Sequence, residues 1–319
     1  MRLRAPNALF FLQGLLAFGL IVVIANILLI SINSFRETTA RNQLMQLFLE
    51  SSEAIEEDKS VSKTAKVVSS QPAPYSALHS SVDVHSFSLD LRVGLISQTP
   101  LIQIKVTDSG FCMLPSGRVV NEQTLNNMLK VRNNQISHIE CVATANSRIL
   151  VNNKPYVSKV YLVNRGNGWI AVNQLSLEDY VASVVGAEMP SLWNMEALKA
   201  QAVAARSYAL AHIARPANKD FHLGDTTRWQ AYRGISSQTS RSIKATQATK
   251  GIVLRYKGGI VESLYASTAD ISLKAHGHLG ASMSQHGAQN LARRGLKFNE
   301  ILARYYTGAS LAQLQSRGN

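Results

Sequence analysis

Cysteine is nearly missing from this sequence. Only Cys112 and Cys141 occur, with no third ligand near them for a metal site. The pair fits a disulfide in an oxidising compartment, and equally two buried thiols. Acids are scarce as well: 20 Asp plus Glu stand against 33 Lys plus Arg, a formal charge of +13. A basic excess suits nucleic acid, anionic lipid or an anionic polymer such as cell wall. There is no RNP motif, no zinc-finger spacing and no helix-turn-helix with a basic reading helix, so nucleic acid is not an expected partner. His276, His278 and His286 follow no strong ligand spacing. No metal and no other cofactor is expected. No internal repeat is evident.

Charge is absent from residues 5–35, and residues 8–32 are apolar apart from a few small or amide side chains. A run of about 25 residues suffices for a bilayer core of about 30 Å. Arg2 and Arg4 precede it, which keeps the N-terminus cytoplasmic by the positive-inside rule. No A-x-A-like cleavage site follows, so an uncleaved single-pass anchor is expected, with a cleaved signal peptide as the alternative. Either way the rest of the chain is exported, and the expected location is the cell membrane with the main domain outside the cytoplasm.

What is present then sorts into segments. Residues 36–84 mix charge, Ser, Thr and Gln with "QPAP", and read as a linker. Residues 85–175 read as a β-rich module. "FSLDLRVGLI" and "LIQIKV" alternate apolar and polar, and "NNKP" and "RGNG" punctuate later strands. From Ser176 the period becomes helical, and residues 176–312 read as a core of helices and a β-hairpin, with 313–319 as a tail. The hairpin is expected in "GIVLRYKGGIVESLYAS" around Lys257–Gly259. "NEILARYYTGASLAQL" is expected to close the chain as an amphipathic helix. The expected fold is α+β: a transmembrane helix, a β-rich module, then a mixed helix and hairpin core with a substrate groove.

One acid is oddly placed. Ser176 followed by Asp179 resembles a capping box. Leu177, Tyr180, Val181, Val184 and Val185 then form one apolar stripe. Glu188 lies 11 residues after Leu177, about three turns, so it projects from the buried side of the last turn. Pro190 stops the helix at Met189. Burial and the negative helix end both raise the pKa of such a carboxyl. A carboxyl kept protonated can donate to a leaving oxygen. A capping or salt-bridged glutamate beside a turn fits the spacing too.

The next helix starts at the N-cap Asn194 and runs to about Ile213. Its alanines allow close packing. Lys199 and Arg206 share one face, as do Gln201 and Tyr208. A Lys/Arg stripe beside a buried acid fits an anionic substrate group, or a solvated surface.

The stretches "VNQLSLEDYVASVVGAEMP", "EALKAQAVAARSYAL", "TRWQAYRG", "TKGIVLRYKGGIVESLYAS" and "GHLGASMSQHGAQNLARRG…EILARYYTG" resemble the SpoIID/LytB family of sporulation and cell-wall proteins, over roughly residues 85–312. The resemblance implies a peptidoglycan lytic transglycosylase acting on glycan strands already stripped of stem peptides by an N-acetylmuramoyl-L-alanine amidase. It implies Glu188 as the catalytic acid. It implies Lys199, Arg206, Tyr265, His278, Ser284 and Gln285 as substrate-binding residues. A single acid suffices for this lyase chemistry, because the substrate's own 6-hydroxyl displaces the leaving group and gives a 1,6-anhydro sugar. Lys199 and Arg206 would pair with the lactyl carboxylate of stripped muramic acid. "YASTADISLKAHGH" lacks the family's Gly-Gly and the long segment that follows it, so part of the cleft wall is expected to be missing. The loop Gly277–Ser282 is one residue longer than the family's. Trp229 stands where zinc-binding members differ, so no zinc is expected. The alternative function is a non-catalytic peptidoglycan-binding protein or amidase enhancer with a shortened cleft.

Overall fold

The computed structural model describes residues 89–131, 135–276 and 281–314. The expected anchor and linker (1–84) lie outside the described residues. Among the described residues, no helix is long and apolar enough to cross a membrane.

Alternation of side chains builds the first layer. Strands β1 (Asp90–Gly94), β2 (Ile104–Val106), β3 (Phe111–Met113), β4 (Val119–Val120), β5 (His138–Val142), β6 (Ile149–Val151), β7 (Lys154–Tyr156), β8 (Lys159–Asn164) and β9 (Trp169–Ser176) occupy the N-terminal half. Ile139 and Cys141 of β5 point inward with Val160 and Leu162 of β8, while their neighbours stay wetter. The β6–β7 turn uses Asn152 and Asn153, both at positive φ (47° and 66°). Two left-handed residues in a row make the tight turn that matches strand twist. Cys112 and Cys141 face each other in register on β3 and β5 and form a disulfide.

The β-rich stretch holds one helix that the alternation does not predict, α1 (Glu122–Lys130). Asn121 caps it by accepting from the Thr124 N–H at 2.8 Å, and Leu125 anchors it in the core.

The C-terminal half is helical: α2 (Leu177–Glu188), α3 (Met195–Ala214), strand β10 (Leu223–Gly224), α4 (Ser240–Ala248), strands β11 (Ile252–Tyr256), β12 (Gly259–Ile260) and β13 (Leu264–Ala266), α5 (Ala269–His276), β14 (Ser282–Ser284), α6 (Gln285–Arg293), α7 (Phe298–Tyr305) and β15 (Ser310–Gln313). Strand β10 pairs parallel with β1, so the helical half adds an edge to the seven-stranded sheet, whose order is β10-β1-β9-β8-β5-β3-β4. One hydrophobic cluster runs through both halves. The axis of the helical half is α3, buried nearly all round from Ala197 to Ala211. A helix apolar on every side belongs inside, and its alanines let other elements approach its backbone closely.

Two expectations are corrected here. The turn at Lys257 and Gly258 forms as expected, with both residues at positive φ, but β12 is only two residues long. Tyr265 lies beyond that hairpin on β13, which pairs parallel with β14. The closing segment is not one helix. It breaks at Gly308, which sits at φ 81°, and β15 turns back to pair antiparallel with β11.

Candidate functional site

The end of α2 sets the site. Ser176 caps the helix by accepting from the Asp179 N–H at 3.1 Å. Leu177, Tyr180, Val181, Val184 and Val185 are buried against the core. Met189 is extended (φ −127°, ψ 141°), as a residue before proline prefers to be. Glu188 is therefore the last helical residue, and it is half-buried.

Gly186 lies on that same turn. Glycine inside a helix costs about 1 kcal/mol relative to alanine. Here a Cβ would lie 1.9 Å from the Ser237 carbonyl oxygen. The bare backbone lets the segment through Ser237 lie directly on α2. That segment also carries Ala231, whose N–H donates to Glu188 Oε1 at 2.8 Å.

Three side chains complete the surroundings. Gln285, at the start of α6, donates to Glu188 Oε2 at 3.3 Å. Its amide also lies 3.5 Å from Gln201 Oε1 on α3. Gln201 is fully buried, and its Nε2 has no hydrogen-bond partner among the described residues. Tyr265 lies close enough to the carboxyl to lower its pKa. Its hydroxyl accepts from Gln230 Nε2 at 3.0 Å, and Gln230 Oε1 accepts from the Tyr180 hydroxyl at 2.9 Å.

The electrostatics follow from this packing. Burial pushes the Glu188 carboxyl above the ordinary glutamate value. The Ala231 and Gln285 N–H groups, the Arg233 charge and Tyr265 pull the other way without cancelling it. Tyr265 is pushed well above the usual phenol value, first by burial and then by the neighbouring Glu188 charge. It stays protonated where Glu188 titrates, and so remains a donor.

The other expected site residues lie elsewhere. Ser284 is buried and caps α6, accepting from the Gly287 N–H at 3.1 Å, which fixes where Gln285 starts. His278 falls outside the described residues. Lys199 donates to Glu196 Oε1 at 2.8 Å, and Glu196 Oε2 also accepts from the Phe298 N–H. Arg206 is fully buried. Its guanidinium grips both oxygens of Glu178 at 2.8 and 2.7 Å and donates to the Ile252 carbonyl at 3.0 Å. A bidentate pair with further carbonyl partners leaves no donor for a substrate carboxylate. The structure thus brings Glu188, Tyr265 and Gln285 together. It places Arg206 in the core, fastening α3 to α2 and β11.

Sequence reasoning did not assign roles to Gln201, Gln230, the Ala231 N–H or Arg233. A signal was available: two glutamines buried among apolar neighbours, one inside an alanine-rich helix and one directly after Trp229.

Known proteins share this region. Residues 165–256 match the family model described as SpoIID, stage II sporulation protein. The chain is similar to an uncharacterised protein of Brachyspira hyodysenteriae, 37% identical over 118 residues, 37% of this chain and 32% of the relative. It is similar to the amidase enhancer of Bacillus subtilis, 41% identical over 85 residues, 27% of this chain and 11% of the relative. It is also similar to stage II sporulation protein D of Bacillus subtilis, 33% identical over 115 residues, 31% of this chain and 34% of the relative. The chain spans about a third or less of the length of these curated relatives. The resemblance to the SpoIID/LytB family is thereby borne out, over the stretch that carries Glu188.

Proposed function

We propose that this SpoIID-like chain cleaves peptidoglycan glycan strands as a lytic transglycosylase, with Glu188 as the acid. The observation that carries this reading is a carboxyl raised by burial yet held by two N–H donors, from Ala231 and Gln285. Such a group keeps its proton to higher pH than an ordinary glutamate and is fixed in direction.

In the step, Glu188 gives its proton to the glycosidic oxygen as the bond from that oxygen to the anomeric carbon breaks. The 6-hydroxyl oxygen of the same sugar bonds to the anomeric carbon. Its proton passes to the Glu188 carboxylate, which restores the acid. No water enters, and no second carboxylate is needed. The Ala231 and Gln285 N–H groups support the carboxylate formed midway, with the protonated Tyr265 beside it. Glu188 is the catalytic residue; Gln285 and Tyr265 position it. The apolar run at 8–32 would hold the domain at the outer face of the cell membrane.

The test is digestion of amidase-treated strands with mass spectrometry of the products. Wild type is expected to yield 1,6-anhydromuramoyl ends, and Glu188→Gln none. The similarity to an amidase enhancer supports a second reading, in which the chain binds strands, or an amidase acting on them, without cleaving. Strands recovered bound and uncut would select it.

A further inference from the structure

A general acid must not spend its proton on a neighbour. Tyr265 can meet the Glu188 carboxyl as donor or as acceptor, depending on where its single hydroxyl proton points. Gln230 decides that. It is fully buried and joins three elements. Its Oε1 accepts from the Tyr180 hydroxyl on α2 at 2.9 Å. Its Nε2 donates to the Ala205 carbonyl on α3 at 3.3 Å and to the Tyr265 hydroxyl oxygen on β13 at 3.0 Å. A carbonyl only accepts, so the side of the amide that faces Ala205 has to be the NH2. An amide NH2 has two protons and accepts nothing; one goes to Ala205 and the other to Tyr265. The Tyr265 oxygen is therefore the acceptor in that contact, and its own proton must go elsewhere. The carboxyl beside it is that of Glu188, whose pKa it lowers, as a donor would.

The segment that carries Gln230 is pinned from the sheet as well. Two residues on, the Tyr232 hydroxyl donates to Asn173 Oδ1 at 2.6 Å, and Asn173 Nδ2 donates to the Val157 and Lys159 carbonyls at 2.9 and 2.8 Å. The Tyr232 ring stacks on Tyr180, with centroids 5.2 Å apart. Between these two anchors Ala231 gives its N–H to Glu188. Consecutive residues thus address the acid twice, Ala231 directly and Gln230 through Tyr265.

We propose that Gln230 is a positioning residue: by donating to the Tyr265 oxygen it turns the Tyr265 hydroxyl proton toward Glu188, so that Tyr265 always meets the acid as a donor. The inference rests on the reading of Glu188 as the acid and adds the group that sets the polarity around it. A tyrosine turned the other way would accept the proton that Glu188 has to give to the glycosidic oxygen. Turned as Gln230 turns it, Tyr265 leaves that proton for the substrate and supports the carboxylate once the proton has gone. The amide cannot flip to undo this, because its oxygen would then face the Ala205 carbonyl oxygen inside the core.

The test reads the titration midpoint of Glu188 in the full chain, labelled with carbon-13 at its carboxyls, the Glu188 signal being the one missing from Glu188→Gln. No substrate is needed, so the result stands apart from strand cleavage. Tyr265→Phe removes the hydroxyl alone. If Tyr265 donates, the carboxylate loses support and the midpoint rises by about one pH unit, about a tenfold change in proton affinity. If Tyr265 accepts, the protonated acid loses support and the midpoint falls. Gln230→Met keeps the length of the side chain but frees the Ala205 carbonyl to compete for the Tyr265 proton. It should raise the midpoint too, and add nothing in the Tyr265→Phe background, where no hydroxyl is left to steer. A fall or no change with Tyr265→Phe overturns the proposal, and does so even where Gln230→Met fails to fold. Equal shifts from Gln230→Met in both backgrounds also overturn it, since Gln230 would then act on Glu188 through packing alone. The expected shifts in a protein that cuts no amidase-treated strands would uphold the steering and overturn the glycan reading.

Discussion

Glu188 carries a linkage that stability measurements can read. Its pKa is raised in the folded state, so between the ordinary glutamate value and the raised one the fold binds more protons than the unfolded chain. Stability therefore falls as pH rises through that window, and the penalty is fully present above it. Glu188→Gln keeps an acceptor for the Ala231 N–H and removes the charge. The variant is expected to be more stable than wild type at neutral pH. The gain should vanish below the ordinary glutamate pKa, where both side chains are neutral. Denaturant midpoints at acid and neutral pH check this. In the same variant, cleavage should fall at least about a hundredfold, the lower range for loss of a general acid. Improved stability with lost activity separates a functional acid from a structural one.

Among the elements, α3 offers the clearest contrast, because two cations seven residues apart on it do different work. Arg206 is buried against a carboxylate 28 residues earlier in the chain. Arg206→Ala leaves the Glu178 carboxylate without its clamp and the Ile252 carbonyl without its donor. The expected loss is about 3–5 kcal/mol of unfolding free energy, the cost of breaking a buried pair. Lys199 forms a partly exposed pair one turn from its partner, and Lys199→Ala should cost less than about 1 kcal/mol. Urea denaturation of the two variants decides it. Nearly equal losses would mean that Arg206 does not fasten the fold.

This contrast also shows what the sequence can and cannot say about elements. Helix α2 was legible because a serine cap, an apolar stripe and a proline stop all agree, and they placed Glu188 on its last turn. The start of α3 was legible from Asn194. The partners were not. Periodicity puts Lys199 and Arg206 on one face of an ideal helix, but it does not reveal that Glu178, Ile252 and Thr246 close over one end of it. Strand β13 is three residues long and pairs with a strand eighteen positions later, residue for residue from Leu264↔Ser282. Such pairing leaves no local mark, so Tyr265 reads as part of the hairpin until the chain is folded. Helix α1 was readable from Asn121 and the Leu125, Met128 and Leu129 spacing, and was masked by the strands around it.

The whole molecule carries +13 over 319 residues. If it tracks an anionic polymer, part of its affinity is long-range and screened by salt. The Debye length shrinks from about 10 Å at 0.1 M to about 3 Å at 1 M. Binding of stripped strands should weaken steadily over that range, and most of all for strands with free carboxylates. Salt-independent binding, measured by co-sedimentation, would remove charge from the account of recognition. The central claim nevertheless concerns one proton. Selective carboxyl labelling with carbon-13, comparing wild type with Glu188→Gln, isolates the Glu188 signal in a pH titration. The account predicts a midpoint above the ordinary glutamate value, so that the folded protein still holds this proton when other surface carboxyls have lost theirs. A midpoint at or below that value would contradict it, because Glu188 would then have no proton to give.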